Sequence, residues 1–160
     1  QRQYPPDFGN GSSCRTKWRS EPIESALGVL KKLGYTGMAE PEFKKDPRDG
    51  QYKFLEVNAR TTTQSILPAM CGMNIEYLAY LDLLDQPFPE PIHTPDDGSL
   101  WIDELADLMS CLTHIKRGTL TVFEAVRSYR GKKVFATAAM DDPVPFILAL
   151  RRFIGQRIGG

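Results

Sequence analysis

In the first half of the chain, apolar and polar residues alternate in short runs; in the second half they recur at three- and four-residue spacing. Alternation sends successive side chains to opposite faces of a strand, whereas the longer spacing lines one face of a helix. "SSCRTKWRS" alternates, with Arg15, Lys17 and Arg19 on one face and Cys14, Thr16 and Trp18 on the other, predicting a strand with a cationic face. "YPPDFGNG" before it is a proline- and glycine-rich turn cluster, and Asn10 of "NGS" reads as part of that turn. Ser20 can cap a helix with Glu21 and Pro22 in its first turn, a stripe of Ile23, Leu27, Leu30 and Leu33, and a stop at Gly34. "GMAEPEFKK" and "QYKFLEVN" read as strands around "DPRDG", whose proline, aspartates and glycine suit a tight antiparallel connection.

Beyond Arg60 the period lengthens. "SILPAMCGM" and "NIEYLAYLDLLD" predict helices with a break at Gly72, and "QPFPEPIHTPDDG" predicts a proline-rich connector. "WIDELADLMSCLTHI" carries Ile102, Leu105, Met109 and Leu112 at helical spacing. "TVFEAVRS" predicts a shorter helix, "KKVFATAA" a strand and "VPFILALRRFIG" a final helix.

Composition narrows the function classes. A length of 160 residues is enough for a hydrophobic core without disulfide or zinc staples. Twenty basic residues balance twenty acidic ones, so no overall charge calls for a nucleic acid or an anionic membrane as partner. No apolar run approaches the roughly 18 residues needed to span a bilayer, and "QRQYPPDF" lacks the blocks of a signal peptide. Cys14, Cys71 and Cys111 are odd in number and far apart, which fits a reducing cytoplasm better than a disulfide framework. Cys71 and Cys111 lie in apolar helical context, where a thiol packs as a small hydrophobe. His93 and His114 have no cysteine pattern near them for zinc, and Ser12 and Ser13 have no base beside them for a hydrolase. The glycines of "GNGSS" form neither a dinucleotide fingerprint nor a P-loop; Arg15, Lys17 and Arg19 could meet an anionic substrate or simply face solvent.

The hairpin holds the chemistry. Glu40, Glu42 and Lys44 share one face of the first strand, and Tyr52, Phe54, Glu56 and Asn58 share one face of the second. A five-residue loop closed by Lys45 opposite Gln51 pairs Glu42 with Phe54 and Glu40 with Glu56. Glu42 and Glu56 then become diagonal neighbours about 7 Å apart, within reach of one cation, with Asn58 a step along. A loop one residue longer or shorter would separate them. Spacing alone leaves two readings open: a hard-oxygen site for a divalent ion, or a solvated face whose acids pair with Lys44, Lys45 and Lys53.

"GMAEPEFKKDPRDGQYKFLEVNAR" resembles the C-terminal metal-binding hairpin of the ATP-grasp superfamily, which includes biotin carboxylase, carbamoyl-phosphate synthetase and D-alanine ligase. The resemblance rests on an acid on one strand, a turn, then Glu-x-Asn-x-Arg, and runs on through "AMCGMNIEYLAYLDLL" to "MDDPVPF". It implies magnesium, with manganese as a substitute, bound by Glu42, Glu56 and Asn58 and bridging the phosphates of ATP. Arg60 would contact the transferred phosphoryl group or a substrate carboxylate. Glu40 is a competing acid opposite Glu56, and "TTTQS" departs from biotin carboxylase, which leaves the substrate open.

The implied fold is α+β: an ATP-grasp C-terminal domain with a mostly antiparallel sheet packed with helices, plus a helical C-terminal extension. Residues 1–90 would form the lobe with the metal-binding hairpin, and residues 91–160 the extension packed on it. The implied function is that of a C-terminal fragment of a cytoplasmic carboxylate-amine ligase. Its partners would be ATP, small carboxylate and amine substrates and an absent N-terminal ATP-grasp lobe, with homo-oligomerisation left open. The fragment alone would be inactive. The rival reading is a non-catalytic binding or assembly module on the same scaffold.

Overall fold

The computed structural model describes residues 2–89 and 98–158. Its elements run β1 (Arg2–Tyr4), β2 (Asn10–Arg15), α1 (Ser20–Lys32), β3 (Glu40–Lys45), β4 (Tyr52–Asn58), α2 (Ile66–Met70), α3 (Ile75–Leu83), β5 (Leu100–Ile102), α4 (Glu104–Lys116), α5 (Val122–Ser128), β6 (Lys133–Phe135) and α6 (Val144–Ile158). The chain divides into two compact units, Gln1–Thr16 with Asp97–Gly160 and Lys17–Asp96. This division differs from 1–90 and 91–160 in where residues 2–16 lie: β1 pairs with β2, and β2 pairs with the C-terminal strand β5.

The first unit is built on a four-stranded sheet in the order β1-β2-β5-β6. The β1–β2 and β2–β5 pairs are antiparallel and the β5–β6 pair is parallel. A parallel pair needs a crossover, and α4 and α5 lie between its strands in sequence. The C-terminal segment is therefore more than a helical extension, because it supplies half of this mixed sheet. All three residues of β5 are buried, with Trp101 only 2 % exposed, and Cys111 of α4 and Ala125 of α5 join them in the core. A short apolar run fits strand or helix equally. That is why Ile102, read as helical from its spacing, proves to be strand: Asp103 ends the run and caps α4 by accepting a hydrogen bond from the Ala106 N–H. α5 opens with a reciprocal cap, in which the Thr121 hydroxyl accepts from the Glu124 N–H and the Glu124 carboxylate accepts from the Thr121 N–H.

The second unit pairs β3 with β4 in a separate two-stranded sheet. α1 begins at Ser20 without a side-chain cap, its N-cap position being Arg19, and stops where Gly34 takes a positive φ. The Asn74 side chain caps α3 by accepting from the Tyr77 N–H. Neither α1 nor α3 has a buried residue. Among the described residues of this unit, Leu67 and Asp46 alone are buried.

Other expectations take definite form. β2 ends at Arg15, so the alternation through Arg19 does not become a strand and the three-residue cationic face does not form. The Arg15 guanidinium instead donates to the backbone carbonyls of Gly98, Ser128 and Arg130. Asn10 lies in β2 rather than in the turn. Ser12 and Ser13 are buried, as is Cys111, while Cys71 is half-buried. His114 bonds the Thr119 hydroxyl through Nδ1 at 2.9 Å. His93 falls outside the described residues. No described helix is long and apolar enough to cross a membrane.

Candidate functional site

The hairpin begins at a tight turn. The Asp46 N–H donates to the Gln51 carbonyl and the Gly50 N–H to the Asp46 carbonyl, each at 2.8 Å, with Gly50 at φ 71°. Asp46 accepts from the Arg48 backbone and guanidinium, which lowers its pKa, and the Asp49 carboxylate is lowered likewise by Lys53 at 2.6 Å. This turn sets Lys45 opposite Tyr52, one residue away from the expected pairing with Gln51.

Continued unchanged, that register would put Glu56 opposite Pro41 and on the other face from Glu42. A β-bulge intervenes. Phe43 faces Phe54, the next pair is Glu42 with Glu56, and Leu55 is the extra residue. Beyond it Pro41 faces Val57 and Glu40 faces Asn58. Glu42 and Glu56 are thus direct cross-strand partners rather than diagonal ones, and Glu40 stands opposite Asn58 rather than Glu56.

The bulge also sorts the hairpin by polarity. One face carries Glu40, Glu42 and Lys44 against Asn58, Glu56 and Lys53; the other carries Pro41, Phe43 and Lys45 against Val57, Phe54 and Tyr52. On the apolar face the Phe43 and Phe54 rings meet edge to face at 5.5 Å, and the Lys45 ammonium lies 5.7 Å from the Tyr52 ring centre. In a regular ladder that kept Leu55 in register, Phe54 and Glu56 would be two residues apart and share a face, mixing the aromatic set with the carboxylates.

Glu42 and Glu56 are exposed, and among the described residues neither forms an ion pair. Directly opposed like charges disfavour the pairing by ~0.2–1 kcal/mol, a cost that a shared cation removes. The Asn58 side-chain N–H donates to Glu42 Oε1 at 2.8 Å, which leaves the Asn58 amide oxygen directed elsewhere. Two carboxylates and an amide oxygen suit a hard divalent ion that retains much of its water. Among the described residues, no group of three or more His, Cys, Asp or Glu forms a metal cluster, so Glu40 does not join Glu42 and Glu56 in one. The chemistry of two acids and one amide is of the kind magnesium takes, although the Asn58 amide presents its N–H rather than its oxygen to Glu42. Arg60 follows the end of β4; it is exposed, and its guanidinium donates to the Thr61 carbonyl at 3.2 Å.

A second polar cluster, which sequence reasoning missed, lies in the first unit. Asp107 of α4 is fully buried and accepts both Nε and Nη2 of Arg2, at 2.8 and 2.6 Å. It also accepts from the Ser12 hydroxyl at 2.9 Å and the Tyr129 hydroxyl at 2.5 Å. Burial raises the Tyr129 pKa, and the bonds to Asp107 and Cys111 raise it further. Burial alone would lower that of Arg2, but the bonds and charge of Asp107 outweigh it and the net shift is upward. Every strong acceptor site on Asp107 is taken, so this cluster fastens β1 to α4 and α5. The signal in the sequence is an acid, Asp107, four residues before Cys111 on the buried side of α4.

Comparison with known proteins points to the part of the chain that holds the hairpin. Residues 14–80 match the family described as "Carbamoyl-phosphate synthase L chain, ATP binding domain". A D-aspartate ligase of Enterococcus faecium (strain Aus0004) is 29 % identical over 102 residues, covering 61 % of this chain and 24 % of that protein. The chain thus spans about a quarter of the length of this relative. No solved structure matches. Both matches are partial and distant; they make this part of the chain similar to ATP-grasp proteins and support, at that level, a place in the ATP-grasp superfamily.

Proposed function

We propose that this chain is the C-terminal part of an ATP- and magnesium-dependent ligase that activates a carboxylate as an acyl phosphate and joins it to an amine. ATP binding and ligase chemistry follow at family level from the ATP-grasp match and from the relative's description as a D-aspartate ligase. The observation that carries the site reading is the direct Glu42–Glu56 pair, with Asn58 bonded to Glu42 on the same charged face.

In this reading Glu42 and Glu56 hold magnesium, and Asn58 steadies Glu42 while offering its own amide oxygen. The ion, when bound, neutralises phosphate charge as it develops. Arg60 donates to the migrating phosphoryl group or to the acceptor carboxylate, a geometry that a planar guanidinium satisfies with two parallel bonds. A carboxylate oxygen attacks the γ-phosphorus, ADP leaves, and an acyl phosphate forms. The amine then attacks the acyl carbon and releases inorganic phosphate. Three free cysteines and the use of ATP agree with a cytoplasmic setting.

The test is made in the intact parent protein with Glu56→Gln. The ligase reading expects a fall in kcat of about 10²-fold or more, together with weaker magnesium-dependent nucleotide binding. Equal nucleotide binding by both proteins would replace it with the non-catalytic assembly module.

A further inference from the structure

The charged face of the hairpin holds basic as well as acidic residues. Along β3 the sequence is Glu40, Glu42, Lys44, and opposite them stand Asn58, Glu56 and Lys53. A lysine pair therefore lies one step from the glutamate pair, about 7 Å along the strands. The bulge brings this about, because Lys53 and Glu56 are three residues apart and in a regular strand would face opposite ways.

The hairpin's other cations are engaged elsewhere. Lys53 donates to Asp49 at 2.6 Å and to the Gln51 side chain at 3.1 Å. Arg48 is tied to Asp46 at 2.6 Å. Lys45 lies over the Tyr52 ring on the apolar face. Lys44 is exposed and shares the face of Glu42 and Glu56, and among the described residues its side chain has neither hydrogen bond nor ion pair. A lysine serving only to screen the acids would be expected to lean on Glu42, two residues back on the same face, and it does not.

We propose that Lys44 is a phosphate-binding residue of this site: its ammonium takes an oxygen of the polyphosphate whose divalent ion Glu42 and Glu56 hold. The inference rests on the metal reading given under Proposed function. It adds a specific preference: the site favours a metal–polyphosphate complex over the free metal ion, since the two acids attract the ion and Lys44 attracts its anionic partner. A flexible ammonium with three donors suits phosphate oxygens whose positions change as a phosphoryl group transfers.

Screening and phosphate binding predict opposite responses, and manganese as a paramagnetic probe separates them. In the 160-residue chain, manganese affinity is measured by water-proton relaxation, first alone and then with inorganic tripolyphosphate. Lys44→Met is expected to leave manganese affinity unchanged or tighten it a few-fold, because a nearby positive charge is gone. Affinity of the manganese-loaded protein for tripolyphosphate should fall about five- to tenfold, with Lys44→Arg restoring most of it. Unchanged or tighter tripolyphosphate binding in Lys44→Met would assign Lys44 to screening and overturn the proposal while leaving the metal site intact. Manganese binding unaffected by Glu56→Gln would fail at the earlier step, removing the metal site and the role of Lys44 with it.

Discussion

The two units treat charge in opposite ways. In the sheet unit, Asp107 is fully buried and every strong bond it can accept is made, by Arg2, Ser12 and Tyr129. In the hairpin unit, Glu42 and Glu56 stand directly opposed and exposed, and among the described residues neither forms an ion pair. A buried carboxylate without partners would unfold its surroundings, whereas an exposed like-charge pair is tolerated at small cost. The first arrangement is what stability requires. The second makes sense for a surface that receives a charged ligand.

Apolar residues repeat the contrast. Leu100, Trp101 and Ile102 are enclosed in the sheet unit, while Leu33 is 71 % and Tyr80 57 % exposed in the hairpin unit. α3 carries apolar residues on most sides, a pattern usual in a helix that is covered all round, yet has none buried.

Substitutions can break this comparison, and the largest effect belongs to the buried acid. Asp107→Ala strands the Arg2 guanidinium and should cost about 3–5 kcal/mol in urea denaturation. A cost under about 1 kcal/mol would mean that the cluster is not what holds β1. Tyr129→Phe removes a single bond to that carboxylate and should cost about 1–2 kcal/mol.

The same substitution has a pH signature. The folded pKa of Tyr129 lies above its ordinary value of 10.0, so folding favours the protonated phenol. Its contribution is fully present below about pH 10 and is lost as pH rises beyond that, when the unfolded chain ionises first. Stability of the Tyr129→Phe protein should therefore decline less steeply above pH 10, as melting temperatures across pH 9–12 would reveal. Parallel profiles for the two proteins would contradict this.

Glu56→Gln sharpens the comparison from the other side. It relieves the opposed charges and should leave stability unchanged or raise it by ~0.2–1 kcal/mol, while removing stabilisation by divalent ions. The smallest effect is expected from deleting Leu55. The ladder becomes regular, Glu42 stays opposite Glu56, and divalent affinity should remain within about twofold. A large loss of affinity would show that the bulge itself shapes the site.

These contrasts also mark what the sequence could convey. Local signals were readable: the stripe and terminal glycine of α1, the turn chemistry of "DPRDG" and the Glu-x-Asn-x-Arg run. That Glu42 and Glu56 share a face was also reached, but through a register that does not occur. The turn shifts pairing by one residue and the bulge shifts it back, and no residue type announces a bulge at Leu55. Ile102 was ambiguous because three apolar residues fit either period. The Arg2–Asp107 pair spans 105 positions, a separation that side-chain spacing cannot bridge. Arg15 was left between an anionic substrate and solvent because its carbonyl partners, Ser128 and Arg130, lie 113 and 115 positions away.

The direct test of the central claim is a manganese titration of the isotope-labelled chain followed by amide NMR. The account predicts that substoichiometric manganese broadens the Glu42, Lys44, Glu56 and Asn58 amides first, and that Glu56→Gln abolishes the effect. Broadening centred elsewhere, or unchanged by Glu56→Gln, would contradict it.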